Sequence, residues 1–168
     1  ELAKKIGCKY HFLHMSTKES FEYIRQAHKE GYSNITCEVA PHHLLLNQDM
    51  IKDGNYKMNP PLREEKDRLA IIEGLKEGTI DCIITDHAPH AEEEKTQGLA
   101  KAPNGIIGFE TALPAEIMNL VDTGELSYLD LVKVTSYNSA NLLKIDRGTI
   151  QVGKVADNVI NRDFNATA

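Results

Sequence analysis

The densest group of residues able to do chemistry is Thr85-Asp86-His87-Ala88-Pro89-His90, which directly follows the apolar run Asp81–Thr85. In parallel α/β folds, functional groups gather at the carboxyl ends of strands. An aspartate there, with two histidines close behind it, is suited to bind a metal or to accept a proton. A solvated turn uses the same residue types. Pro89 stiffens the turn and helps set the direction of His90. His14 closes the aromatic and apolar stretch Lys9–Met15 and offers an imidazole nitrogen of the kind zinc accepts. Alternation along a strand puts His11 on the opposite face. A lone strand histidine also reads as a satisfied core group, and the ligand reading gains from Asp86 at the end of another strand. His42-His43 follows Pro41 after a second apolar stretch, and adjacent side chains diverge, so at most one faces a site. Asn59 precedes Pro60-Pro61 and is held extended. It either offers its amide to a polar ligand or completes a turn. Arg63 can take a carboxylate or lie on a helix surface. Asn104-Gly105 is a turn signal whose backbone N–H groups can meet a ligand. The Glu92–Glu94 run with Lys95 reads as a solvated loop. No glycine-rich phosphate loop, GxSxG elbow or CxxC pair is present, which leaves nucleophilic serine or cysteine catalysis without support.

The elements expected to position these residues alternate. Glu1–Gly7 reads as the end of a helix, Lys9–Met15 as a strand, and Lys18–Lys29 as a helix capped by Ser16-Thr17. Ile35–Ala40 reads as a second strand and Leu44–Ile51 as a short helix. Arg63–Lys76 places Leu69, Ile72 and Leu75 on an apolar helical face, and Asp81–Thr85 has the character of a strand buried on both sides. His90–Gly108 is a long loop, a class that is usually functional or mobile. Thr111–Val121 and Tyr128–Val134 read as helices, Gly148–Ile160 as short β-strands, and 161–168 as a polar tail. This order predicts a βα architecture with about three parallel strands. A (β/α)8 barrel needs eight strands and about 250 residues, so three strands can form only part of one. The chain opens at Glu1 in mid-helix and without methionine, which points to a piece of something longer.

Composition narrows the classes further. The 168 residues carry 19 Lys+Arg against 25 Asp+Glu, a formal charge of -6, with no basic block, which argues against nucleic acid as partner. No run approaches the roughly 20 apolar residues of a membrane span. The three cysteines, Cys8, Cys37 and Cys82, are widely spaced in apolar settings and read as buried thiols of a reducing, cytoplasmic compartment.

Five stretches carry a resemblance: His14–Ser20 (HMSTKES), Cys37–Leu46 (CEVAPHHLLL), Lys57–Arg63 (KMNPPLR), Gly78–His90 (GTIDCIITDHAPH) with Glu94-Lys95, and Gly105–Pro114 (GIIGFETALP). In these the chain resembles the long-chain bacterial dihydroorotases of the metal-dependent amidohydrolase superfamily. The resemblance implies the C-terminal part of a distorted (β/α)8 barrel over 1–147, followed by a β segment of an accessory sandwich and a frayed tail over 148–168. It implies a two-zinc enzyme that interconverts N-carbamoyl-L-aspartate and L-dihydroorotate in pyrimidine synthesis. By motif, His14 and Asp86 are the implied zinc ligands and Asp86 the implied acid–base. Asn59, His90 and the Asn104-Gly105 backbone are the implied substrate contacts. A homodimer, or association with aspartate transcarbamoylase, is implied as assembly. The family's remaining ligands, a His-x-His pair, a bridging carboxylate and a further histidine, belong to strands that do not occur within 1–168. A catalytic zinc normally takes three protein ligands, so this chain alone is not expected to complete the site. Pro103-Asn104-Gly105 and Asn138-Ser139-Ala140 depart from the family's Pro-Phe-Gly and Asn-Pro-Ala. The alternatives are an allantoinase- or dihydropyrimidinase-like amidohydrolase, or a non-catalytic relative serving as an interaction partner.

Overall fold

The computed structural model describes residues 1–155 and 157. Three strands, β1 (Tyr10–Phe12), β2 (Ile35–Val39) and β3 (Cys82–Ile83), form a parallel sheet in that order. Tyr10 pairs with Ile35, Phe12 with Cys37, and Val39 with Ile83. β2 alternates as the pleat requires. Ile35, Cys37 and Val39 are buried toward the helices, and Thr36 and Glu38 turn to the other face. On that face His11 bonds both of them, with Nδ1 2.7 Å from Thr36 Oγ1 and Nε2 2.9 Å from Glu38 Oε2.

Two strands are shorter than their apolar runs. β1 stops at Phe12, and the chain rejoins β2 only through Met15 N, which donates to Glu38 O at 2.9 Å. β3 is a two-residue ladder extended by Asp81 N to Cys37 O and Ile84 N to Val39 O, each 3.0 Å. The residues that end these runs, His14 (φ 33°) and Asp86 (φ 47°), both have left-handed backbone, which breaks strand geometry and bends the chain.

Helix α1 (Leu2–Ile6) leads into β1, and α2 (Lys18–Lys29) follows it. Thr17 caps α2 by accepting from Ser20 N at 3.3 Å, and Phe21, Ile24 and Ala27 form its buried face. α3 (Pro41–Leu45) begins immediately after β2, with proline in the first turn where its missing N–H costs nothing. Two 3₁₀ turns, Gln48–Met50 and Gly54–Tyr56, lead to α4 (Glu65–Glu77). The buried face of α4 is Asp67, Ala70, Ile71, Gly74 and Leu75. Leu69, expected on that face, is 51% exposed, because a 3.6-residue period drifts away from strict three-residue steps. Gly74 permits close packing, since a Cβ there would stand 2.8 Å from Ile80 Cδ1. Asp67, buried between the helices, accepts from Lys18 N at 2.8 Å and so ties α4 to the start of α2.

After β3 come α5 (Glu92–Lys95), α6 (Ala112–Glu116), α7 (Tyr128–Val132) and α8 (Asn138–Leu143). α6 and α7 each run on into a π-helical turn, Ile117–Val121 and Lys133–Tyr137. The core is one cluster joining Phe21, Ile24, Val39, Leu44, Ile71, Ile80, Leu120 and Leu131 with their neighbours. Cys37 and Cys82 are buried in line with the sequence reading, but Cys8 is exposed, because it sits between α1 and β1 rather than in a strand. The β segment expected from 148 onward lies partly outside the described residues, and its described part, 148–155, forms turns without a ladder partner. Among the described residues no helix is long and apolar enough to cross a membrane.

Replacing Asp67 by Ala leaves the Lys18 N–H at the start of α2 without its buried acceptor. Urea unfolding is expected to show a loss of about 1–3 kcal/mol. Glu116, at the end of α6, is buried, and burial pushes its carboxyl from 4.5 up to about 7. Between those values the folded chain keeps a proton that the unfolded chain has lost, so stability falls as pH rises through this window. Glu116→Gln is expected to flatten that fall and to be more stable than wild type at pH 8 by about 1–3 kcal/mol. Urea midpoints at pH 5 and pH 8 measure both effects.

Candidate active site at the carboxyl ends of the strands

All three strands run the same way, so their carboxyl ends open at one end of the sheet. His14 follows β1, His42 and His43 open α3 directly after β2, and Asp86 follows β3. The left-handed backbones of His14 and Asp86 turn the chain at the two flanking positions. Such backbone costs a non-glycine residue roughly 1–3 kcal/mol and persists where the surroundings hold it, commonly at functional sites.

His42 comes nearest to Asp86, with Nε2 3.9 Å from Oδ2. Its side chain is only 4% exposed, against 34% for Asp86. Neither ring nitrogen of His42 has a hydrogen-bond partner, and His14 Nδ1 and His43 Nδ1 are likewise buried without one. Burial first, then the proximity of His43 and His14, pushes the His42 imidazole down to about 3. Burial also lowers His43, against the opposing pulls of the Pro60 carbonyl and Asp86. Both rings are therefore neutral at pH 7. His43 lies 2.8 Å from Pro60 O through Nε2, and this contact holds the Asn59-Pro60-Pro61 stretch against α3. With Nε2 donating, His43 Nδ1 is a bare acceptor.

Buried polar atoms without partners are uncommon and call for an explanation. Neutral imidazoles beside a carboxylate form a donor set that a zinc ion accepts. His14 Nδ1 and the Asp86 carboxylate fit that use. Among the described residues, no three His, Cys, Asp or Glu side chains come together closely enough to hold an ion by themselves.

The two histidines that follow Asp86 in sequence are each bonded to the loop beyond it. His87 Nδ1 accepts from Gly108 N at 2.9 Å and Phe109 N at 3.3 Å, and its ring stacks on Phe109 at 4.0 Å. His90 is exposed, and its Nε2 is 2.9 Å from Asn104 O. Asn59 is exposed on the far side of Met58, which is buried. Arg63 lies with Nε 3.4 Å from Ser16 Oγ. Gly105 has φ 130°, and a Cβ there would stand 2.6 Å from Ala88 Cβ. Its N–H donates to Lys57 O at 2.9 Å, so of the two backbone groups expected to meet a ligand, Gly105 N–H is already engaged. Lys95, read from sequence as part of a solvated loop, is buried, with Nζ 3.0 Å from Pro103 O and 2.8 Å from Gly105 O. The sequence signal for the position of His42 is the Pro41-His42-His43 string at a strand end.

The chain belongs to the amidohydrolase family, which it matches over residues 4–166. Within that family it is 50% identical over 159 residues to the dihydroorotase of Brevibacillus brevis, and 49% identical over 158 residues to that of Staphylococcus epidermidis. Each match covers 93% of this chain and 37% of the relative, so the chain spans little more than a third of their length. Among solved structures it is similar to the L-hydantoinase (dihydropyrimidinase) of Arthrobacter aurescens, with a TM-score of 0.83 and 35% identity. It is also similar to the D-hydantoinase of a Bacillus species, AR9, with a TM-score of 0.84 and 28% identity. Each of these two covers 93% of this chain and 36% of the solved chain. The three-stranded parallel sheet with its helices thus has a hydantoinase-like amidohydrolase fold.

Gly105→Ala puts a methyl group into Ala88 and strains a backbone that only glycine adopts freely. A loss of about 1–3 kcal/mol is expected in urea unfolding. No change would mean that the loop returning to Ala88 relaxes at no cost.

Proposed function

We propose that this chain forms the last three barrel strands and their helices in a dihydroorotase. The reaction would be reversible hydrolysis of the cyclic amide L-dihydroorotate to N-carbamoyl-L-aspartate. The observation that carries this reading is the pairing of His14 and Asp86 at the ends of the two flanking strands, both on left-handed backbone, with His14 Nδ1 buried and without a partner. The 50% identity to a dihydroorotase supports this substrate over that of the two hydantoinases, which are 35% and 28% identical to this chain.

His14 and Asp86 would contribute to holding zinc, two ions being the expectation for a complete site, with the remaining ligands supplied by polypeptide outside 1–168. Bound there, zinc supplies Lewis-acid polarisation of the amide carbonyl and eases ionisation of the attacking water. Asp86 takes the proton of the attacking water as the new C–O bond forms. It returns that proton to the ring nitrogen as the C–N bond breaks, so the carboxylate ends as it began. Ring closure runs through the same group in reverse. The buried, neutral His42 beside Asp86 keeps bulk water from its inner side without adding a competing charge. His90, Asn59 and the Asn104 backbone N–H would contact the carboxylate and amide groups of the substrate.

The test is dihydroorotate hydrolysis and zinc content of this chain combined with a polypeptide covering the remainder of the relatives' length. Zinc and turnover are expected only in the combination. There, Asp86→Asn is expected to lower kcat by about 100- to 10,000-fold, and His14→Ala to lower the zinc content. Full turnover with Asp86→Asn would remove the proton-carrying role. A folded, associated combination without turnover would favour a non-catalytic interaction role.

A further inference from the structure

Carbonyls of the segment 100–105 are held by side chains from outside it. Lys57 Nζ is 2.9 Å from Ala100 O, and His90 Nε2 is 2.9 Å from Asn104 O. Lys95 Nζ donates to Pro103 O, the carbonyl of the peptide that carries the Asn104 N–H, and to Gly105 O one residue beyond. Lys95 stands in the last turn of α5 and is buried, and it forms no ion pair with a carboxylate among the described residues. A buried ammonium satisfied by neutral carbonyls keeps its charge uncompensated at close range. Burial, with Lys57 nearby, lowers its pKa, and Asp53 opposes that. The packing around it leaves no slack, since a Cβ on Gly54 would stand 2.1 Å from Lys95 O and 2.6 Å from Ala102 Cβ.

The direction of these carbonyls decides the direction of the amides. Across a trans peptide, N–H points opposite to C=O. With Pro103 O drawn to the ammonium, the Asn104 N–H points away from it, and it makes no hydrogen bond among the described residues. Gly105 N–H is held by Lys57 O. A lysine suits this position because its compact ammonium carries three donors on a flexible stem and can meet two carbonyls at once.

We propose that Lys95 is a positioning residue: by holding Pro103 O, the carbonyl that shares a peptide plane with Asn104 N–H, it turns that N–H outward as the donor for a carboxylate of the substrate. This rests on the dihydroorotase reading, which supplies a substrate bearing that carboxylate. The geometry assigns Lys95 an effect on binding rather than on the bond-breaking step, because its ammonium is taken up by the loop carbonyls of Pro103 and Gly105 and, among the described residues, forms no hydrogen bond or ion pair with Asp86.

Lys95→Met and Lys95→Arg are compared with wild type in the combined enzyme described above. Lys95→Met is expected to raise KM for dihydroorotate about 10-fold or more while kcat stays within about 3-fold. Zinc content should stay unchanged, and amide hydrogen exchange at Ala102 and Gly105, whose N–H groups donate to Gly98 O and Lys57 O, should speed by about 10-fold or more. Lys95→Arg, which keeps charge and donors, is expected to recover part of both losses. Unchanged KM and unchanged exchange in Lys95→Met overturn the proposal. So does a fall in kcat and zinc content at constant KM, which marks a merely structural role. Wild type that turns over no dihydroorotate overturns the functional reading instead. Succinate titrated against the Asn104 amide resonance then decides: a shift present in wild type and absent in Lys95→Met supports the proposal, and no shift in wild type overturns it.

Discussion

Parallel pairing of β2 with β1 on one side and β3 on the other is the constraint on which the site depends. Parallel strands all end at the same end of the sheet, so residues far apart in sequence, such as His14, His42 and Asp86, are delivered to one place. The ladder also sets their heights. Phe12 is opposite Cys37 and Val39 opposite Ile83, so β1 stops two residues, about 7 Å, below the level at which β3 stops. The buried face of β2, with Ile35, Cys37 and Val39 against α2 and α4, keeps the register. A slip of one residue would exchange that face with the one carrying Thr36 and Glu38, where His11 bonds both.

Two kinds of local cost stand on this frame. His14 and Asp86 adopt left-handed backbone, and His42 is buried with both ring nitrogens unpartnered. Neither feature lowers the energy of the folded chain, and both are held by packing elsewhere. Asp67 on α4 helps by fastening the start of α2, the helix that leaves the His14 turn. The π-helical turns after α6 and α7 contribute Leu120 and Val134 to the core.

The long loop after β3 is organised by a different rule. Its charged residues do not pair only with opposite charges. Lys57, His90 and Lys95 reach backbone carbonyls of 100–105, and His87 accepts from backbone N–H groups of Gly108 and Phe109. A segment with little secondary structure of its own must satisfy its backbone somehow, and side chains of the preceding segments do it here. The Thr85–His90 string is therefore divided: Asp86 faces the strand-end site, while His87 and His90 shape the loop beside it.

Much of this was legible in the residues. The Thr17 cap with Phe21, Ile24 and Ala27 defines α2, and alternation in Ile35–Val39 defines β2, because both signals are local and periodic. The strand-end positions of His14 and Asp86 follow from the same patterns. The strands' true ends did not, since β1 stops at Phe12 and β3 at Ile83, inside apolar runs that continue to Met15 and Thr85. The buried face of α4 departs from the Leu69, Ile72 and Leu75 steps because a 3.6-residue period drifts away from strict three-residue spacing. The burial of Lys95 and the approach of His42 to Asp86 were settled only by the tertiary structure. Each depends on partners brought from separate elements, carbonyls at 103 and 105 for the one and the end of β3 for the other, and nothing in the local sequence records which distant groups will arrive.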